Sequence, residues 1–160
     1  FINNGSVGVT PRQFWDTVHP PVPIGGSHGN PQTHVLAGEI NLHGNPVGAH
    51  HEPTGTATGS FQVAHYVSGY ASGTTSSAHR PYTAHVQVQD PATGAYVLKQ
   101  SNSGMPITNS MFPTSWSQGR VVAEIYTAFL SRRSLNPTNP NNPRFRGQTT
   151  NPSIAINFFL

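Results

Sequence analysis

Glycine and proline punctuate this chain so often that no regular element can run far: 16 glycines and 15 prolines are spread over 160 residues. Glycine admits positive φ, and proline removes a backbone donor and breaks helices. The fold must therefore be assembled from short strands and turns. One longer helix stands out, over Ser115–Arg133. Its apolar positions Val121, Val122, Ile125, Ala128 and Phe129 follow a 3.6-residue period. Ser115 or Ser117 can cap its start, and Arg132 and Arg133 suit the negative end of its dipole.

Elsewhere the period is two. Tyr82–Gln89 alternates cleanly, with Tyr82, Ala84, Val86 and Val88 on one face, and Phe61–Tyr66 alternates as well. Asp90-Pro91-Ala92-Thr93-Gly94 is a hairpin turn, opened by Asp and Pro and closed by a glycine, so Ala95–Lys99 is the returning strand. Thr33–Ala37 and Pro46–His51 are expected as two short strands around a polar turn at Asn41–Asn45. Ser153–Leu160, apolar on both faces, is expected as a central strand. A shorter helix is expected over Pro11–Val18, and loops over Thr54–Gly59, Gly69–Ala78 and Asn136–Pro143. The class implied is α+β with mainly antiparallel sheet and one or two helices. We expect an entry segment over residues 1–32 and the main body over 33–160, one compact domain overall.

Charged residues make up only 8% of the chain, which argues against a highly charged disordered tail. The formal net charge is +3. Arg120, Arg132, Arg133, Arg144 and Arg146 fall in the last third, where Glu124 is the single acid. Such a basic half points to a polyanionic partner or simply to solubility, and composition does not separate the two. The absence of cysteine excludes disulfides and cysteine–zinc sites. No apolar run reaches the length of a membrane span. Without a signal peptide or an initiator Met, the chain is expected to be a piece of something longer.

Nine histidines against five carboxylates is an unusual balance, and histidine is the side chain best suited to moving protons near neutral pH. A hairpin built on Thr33–Ala37 and Val47–His51 brings His34 and His50 side by side. Two adjacent rings supply one neutral base and one protonated acid, the pair needed for phosphodiester transesterification on RNA. The competing reading is two buried, hydrogen-bonded histidines. A metal pair is a third, with Glu39 and Glu52 the only nearby carboxylates. Lys99, the only lysine, ends the returning strand, where a fixed cation could stabilise charge on five-coordinate phosphorus or simply face solvent. The Thr and Ser hydroxyls of Gly147–Ser153 could bind a phosphate oxygen, with Arg144 and Arg146 just upstream; a plain polar turn is the alternative.

Together these segments resemble the EndoU endoribonuclease family, especially its bacterial toxin branch. His34-Val35-Leu36-Ala37-Gly38-Glu39 resembles the family's first histidine motif, and Gly48-Ala49-His50 the second. Asp90–Gly94 leading to Lys99 resembles the hairpin that presents the family lysine. Met111-Phe112-Pro113-Thr114-Ser115-Trp116-Ser117 resembles the lead-in to the following helix, and Gly147–Pro152 the C-terminal Thr-x-Pro segment. The likeness runs from Thr33 to Leu160. It implies an EndoU-like, RNase A-like toxin fold, and RNA cleavage to 2′,3′-cyclic phosphate and 5′-hydroxyl ends without a cofactor or metal. His50 would be the base, His34 the acid, Lys99 the charge stabiliser and Thr150 a further catalytic contact. Ser153, Arg144, Arg146 and Phe158 would contact substrate. Relatives often carry a tyrosine near the C-terminal threonine, whereas here only Phe145, Phe158 and Phe159 follow Tyr126. His51 adjoins His50, and the Gly-x-His match selects His50.

The resemblance further implies a toxin domain of an exported contact-dependent inhibition or other polymorphic toxin. Such a domain acts in the target-cell cytoplasm on RNA, with transfer RNA among its targets, and is monomeric when free. A cognate immunity protein is the implied partner. Two other classes stand beside this one: a His-rich metal-dependent hydrolase, with His43 or His51 as third ligand, and a non-catalytic RNA-binding module.

Overall fold

A computed structural model describes residues 31–52, 60–69, 76–135, 144–150 and 152–159. The expected helix Pro11–Val18 and loops Thr54–Gly59 and Asn136–Pro143 lie outside them. The chain divides into two compact units, with the boundary at Val121/Val122 inside the long helix. The α+β class is borne out: short helices accompany sheets whose strand pairs are all antiparallel among the described residues. No helix among these residues is long and apolar enough to cross a membrane.

In the first unit, helix α1 (Pro31–Leu36) leads into a two-stranded ribbon, β1 (Glu39–Ile40) and β2 (Pro46–Val47), around the polar turn at Asn41–Asn45. The strand expected over Thr33–Ala37 is thus a helix. Proline in its first turn needs no donor there, and Gly38 at φ 70° supplies the left-handed residue that stops it. The amides of Ala37 and Gly38 both return to the Thr33 carbonyl, at 2.8 and 2.9 Å. The strand expected over Pro46–His51 stops at Val47 because Gly48 and Ala49 both turn to positive φ.

The main sheet is built on β4 (Tyr82–Gln89), whose residues alternate buried and half-buried along its whole length. β3 (Phe61–Ser68) pairs with one edge, and the other edge is shared end to end by β5 (Tyr96–Leu98) and β6 (Thr108–Met111). Tyr82, Ala84, Val86 and Val88 face a core completed by Ala49, Phe61 and Met111. The hairpin turn is held by the Asp90 carboxylate, which accepts from the Ala92 amide and the Thr93 hydroxyl. Within the segment expected as loop, Ser76–His79 forms a single helical turn, α2. Its Ala78 carbonyl accepts from the Ser115 amide and hydroxyl.

The long helix α3 spans Gln118–Leu130, shorter at both ends than the periodic stretch. Ser117 caps it, its hydroxyl accepting from the Arg120 amide at 3.1 Å. Val121, Val122, Ile125, Ala128 and Phe129 are all buried, as the period required. Arg132 donates to the Phe129 carbonyl at 2.8 Å, satisfying a helix-end acceptor.

In the second unit β7 (Arg133–Ser134), β8 (Arg144–Gln148) and β9 (Ala155–Phe159) form a sheet in that order. Among the described residues β8 is therefore central and β9 lies at an edge, where Ser153–Leu160 was expected to be central. Ala155 and Asn157 are exposed while Ile156 is half-buried, so its apolar run reflects one covered face rather than two. A Cβ on Gly147 would lie 1.6 Å from the Ala128 carbonyl oxygen, so β8 can touch α3 there only through glycine. Gly147→Ala is expected to lower stability by at least about 1–3 kcal/mol, read as a fall in the urea midpoint at unchanged m-value.

Candidate active site

His50 is placed by an exchange between a helix end and a strained turn. The last carbonyls of α1 have no helical partner. The amides of Ala49 and His50 reach the His34 and Val35 carbonyls at 2.8 Å each, supplying one. The approach is so close that a Cβ on Gly48 would sit 2.0 Å from the His34 carbonyl oxygen. It also forces Gly48 and Ala49 into successive left-handed conformations, with φ 75° and 62°. For fully buried Ala49 that geometry costs on the order of 1–2 kcal/mol.

Asn109 holds the turn from its other side. Its Nδ2 donates to the carbonyls of Gly48 and Ala49, 2.8 Å each, and its Oδ1 accepts from Lys99 Nζ at 2.7 Å. Lys99 Nζ lies 3.4 Å from the Gly48 carbonyl as well. The lysine backbone is fixed where β5 ends and β6 begins: its amide donates to Val86 and its carbonyl accepts from Ile107. Burial pulls the Lys99 ammonium below its ordinary range.

β6 also orients the His50 ring. Nδ1 lies 2.8 Å from the Ser110 carbonyl, and the Phe112 amide donates to the His50 carbonyl at 2.8 Å. A carbonyl can only accept, so Nδ1 carries the proton and Nε2 of the neutral ring keeps its lone pair. Desolvation is the main reason the His50 pKa falls from 6.5 to about 4, with the positive charges of Lys99 and His34 adding to it and the Ser110 bond opposing it.

His34, in the last turn of α1, has Nδ1 3.3 Å from Glu39 Oε1, an ion pair when the ring is protonated. Its ring centroid lies 6.1 Å from that of His50, with the planes tilted 39°. His51, by contrast, is fully buried and donates from Nε2 to the Trp116 carbonyl at 2.6 Å. Next to it, the Glu52 carboxylate accepts from the Tyr66 and Tyr82 hydroxyls. The chain after His50 is thus anchored in the core, and His50 rather than His51 joins His34.

The structure therefore gathers His34, His50 and Lys99 in one unit. Thr150 belongs to the other unit, where its amide and hydroxyl donate to the Glu124 carboxylate at 2.9–3.0 Å. Its neighbour Thr149 is the buried member of that turn, bonded to Pro152 and Ile154. Arg144 and Arg146 are exposed on β8, and Ser153 is exposed ahead of β9, which contains Phe158. No group of three His, Asp or Glu side chains able to hold a metal occurs among the described residues.

A family model described as bacterial EndoU nuclease matches residues 28–158. The chain belongs to the bacterial EndoU nuclease family. No curated protein and no solved structure was found to match it. The match spans every residue of the cluster just described, and it makes this chain a nuclease. Sequence reasoning missed two parts of this candidate site. Glu39 was named within the first histidine motif and as a possible metal ligand, but not as a partner of His34, five residues away. Asn109 carried a usable signal: it alternates with Met111 on the buried face of β6, so a polar residue stands at a core position.

Asn109→Leu is expected to leave the Gly48 and Ala49 carbonyls and the Lys99 ammonium without their partner. The cost is on the order of 1–3 kcal/mol or more, read as a lower thermal midpoint. Nuclease activity should fall with it even at temperatures where the variant is fully folded.

Proposed function

We propose that this EndoU nuclease cleaves RNA by attack of a 2′-hydroxyl on the adjacent phosphorus, leaving 2′,3′-cyclic phosphate and 5′-hydroxyl ends. The observation that carries the reading is the His34–His50 pair, 6.1 Å apart, with different partners on the two Nδ1 atoms. His50 is neutral at pH 7 and offers the Nε2 lone pair, so it takes the 2′-hydroxyl proton. The new O2′–P bond forms as the P–O5′ bond breaks. His34, backed by the Glu39 carboxylate, gives a proton from Nε2 to the departing O5′. Lys99 supplies fixed positive charge for the phosphoryl oxygens, the more effective for being desolvated. Arg144, Arg146, Ser153, Phe158 and Thr150 remain candidates for holding substrate.

The resemblance to the toxin branch supports a role in interbacterial competition. The domain would be exported within a larger toxin, act in the cytoplasm of a target cell with transfer RNA among its targets, and be neutralised by an immunity protein.

The test is incubation with total RNA in the presence of a chelator, followed by mapping of the cut ends. Cyclic phosphate ends are expected; activity that vanishes with the chelator favours the metal-hydrolase reading instead. His34→Ala and His50→Ala should each lower kcat/KM by roughly 10²–10⁴-fold. Cleavage near the wild-type rate in either variant overturns the assignment. Expression in a bacterial cytoplasm should arrest growth, and His50→Ala should relieve the arrest.

The pH dependence follows from the His50 environment. The acid limb of kcat/KM assigned to the base should lie near pH 4 rather than 6.5. The same shift affects stability. Below pH 6.5 the unfolded chain protonates His50 while the folded one does not, so stability falls as the pH drops toward about 4. His50→Ala should remove this contribution, read as a shallower loss of thermal midpoint across that window.

A further inference from the structure

The second unit carries an arrangement that its own stability does not explain. β8 alternates: Phe145 and Gly147 face the covered side, where Gly147 meets α3, while Arg144, Arg146 and Gln148 are exposed on the other. The register sets Arg133 of β7 directly opposite Arg146. Residues opposed in this way have Cβ atoms about 4.5–5.5 Å apart on the same face, and like charges there are destabilising. Among the described residues no acid is placed against the pair: Glu124 is the one described carboxylate side chain from Val122 onward, and both its oxygens accept from Thr150.

The two arginines instead line a shared groove. It has a volume of about 250 Å³ and is walled by Ser131, Arg133, Arg146, Gly147 and Gln148. That is several times the roughly 30 Å³ share of one water, and it admits a phosphate group with part of its hydration. Arg146 is oriented within the groove. Its Nε donates to Asn157 Oδ1 at 3.1 Å, a neutral partner that fixes the guanidinium plane without cancelling its charge. Two guanidinium groups opposed across a strand pair suit the several oxygens of a phosphate, which each fork can bind bidentately.

We propose that Arg133 and Arg146 form a backbone-phosphate clamp for the RNA substrate, with the Ser131 hydroxyl and the Gln148 amide within its walls. The proposal rests on the RNA reading given above and adds a binding site on the second unit. Binding the strand through its phosphates here makes this part of recognition independent of base identity. It also turns the repulsion within the arginine pair into a property of the unbound state alone.

The experiment measures binding of a fluorescent single-stranded RNA to the full chain carrying His50→Ala, so that no cleavage occurs, over a range of salt concentrations. Adding Arg133→Gln with Arg146→Gln should weaken binding and reduce the slope of log K against log salt by about 1.4, the value for two lost single-strand phosphate contacts. Arg133→Lys with Arg146→Lys should keep most of the slope. The thermal midpoint of the glutamine variant should be unchanged or raised, since a repulsion is removed. An unchanged affinity and slope in the glutamine variant overturns the clamp, and leaves the basic face to an acidic protein partner. If wild-type protein binds RNA with this arginine dependence but leaves it uncut, the clamp stands and the cleavage reading fails. If it cuts RNA with no such dependence, the reverse holds.

Discussion

The cluster of His34, His50 and Lys99 depends on one junction, where the amides of Ala49 and His50 meet the open carbonyl end of α1. A helix of six residues has little intrinsic stability. Here its terminal acceptors are used, and the price is a pair of left-handed residues. Because His34 sits in the last turn of that helix and His50 is itself one of the donors, the distance between the two rings is set by main-chain hydrogen bonds. Side-chain packing then only refines it. The strain at Ala49 is bearable because the residue is held on three sides: by α1, by the Asn109 amide and by the core of the main sheet.

Asn109 joins that junction to the lysine. A buried amide with all of its strong partners present adds specificity, since each alternative packing leaves a donor or acceptor unmatched. It ties together three elements far apart in sequence: the turn at Gly48–Ala49, the end of β5 and the middle of β6. It also turns the Gly48 and Ala49 carbonyls toward itself, leaving the Ser110 carbonyl of the same strand to orient the imidazole. β6 is thus less a sheet strand than a rail of alternating duties.

The parts of this architecture that were legible in the sequence are those with a long enough period. Eight alternating residues fixed β4 and its buried face, and the helical stripe from Val121 to Phe129 fixed α3. The Asp90–Gly94 turn was legible from chemistry alone. By contrast, Thr33–Ala37 is too short to show any period, and Val35, Leu36 and Ala37 suit a strand as well as a helix. The better signal was the pair bracketing it, Pro31 and Gly38, which favour the start and end of a helix respectively. His34 and His50 were expected to meet through a hairpin, and they do lie side by side. The route differs, because a left-handed alanine is not readable from sequence. Asn109 and Glu39 were harder to read for another reason: their roles are relations between elements, and a pattern within one element, such as the alternation of Asn109 with Met111, marks a polar core position without naming its partners.

The two rings are held by unlike partners, and that difference bears on how the site tolerates mutation. His34 is oriented by a side-chain carboxylate, which a single codon change at Glu39 can delete. His50 is oriented by a main-chain carbonyl, which no substitution at Ser110 removes. Sequence drift can therefore reach the orientation of the two rings unequally. The orientation of His50 rests on the backbone, while that of His34 rests in part on residue 39 staying acidic.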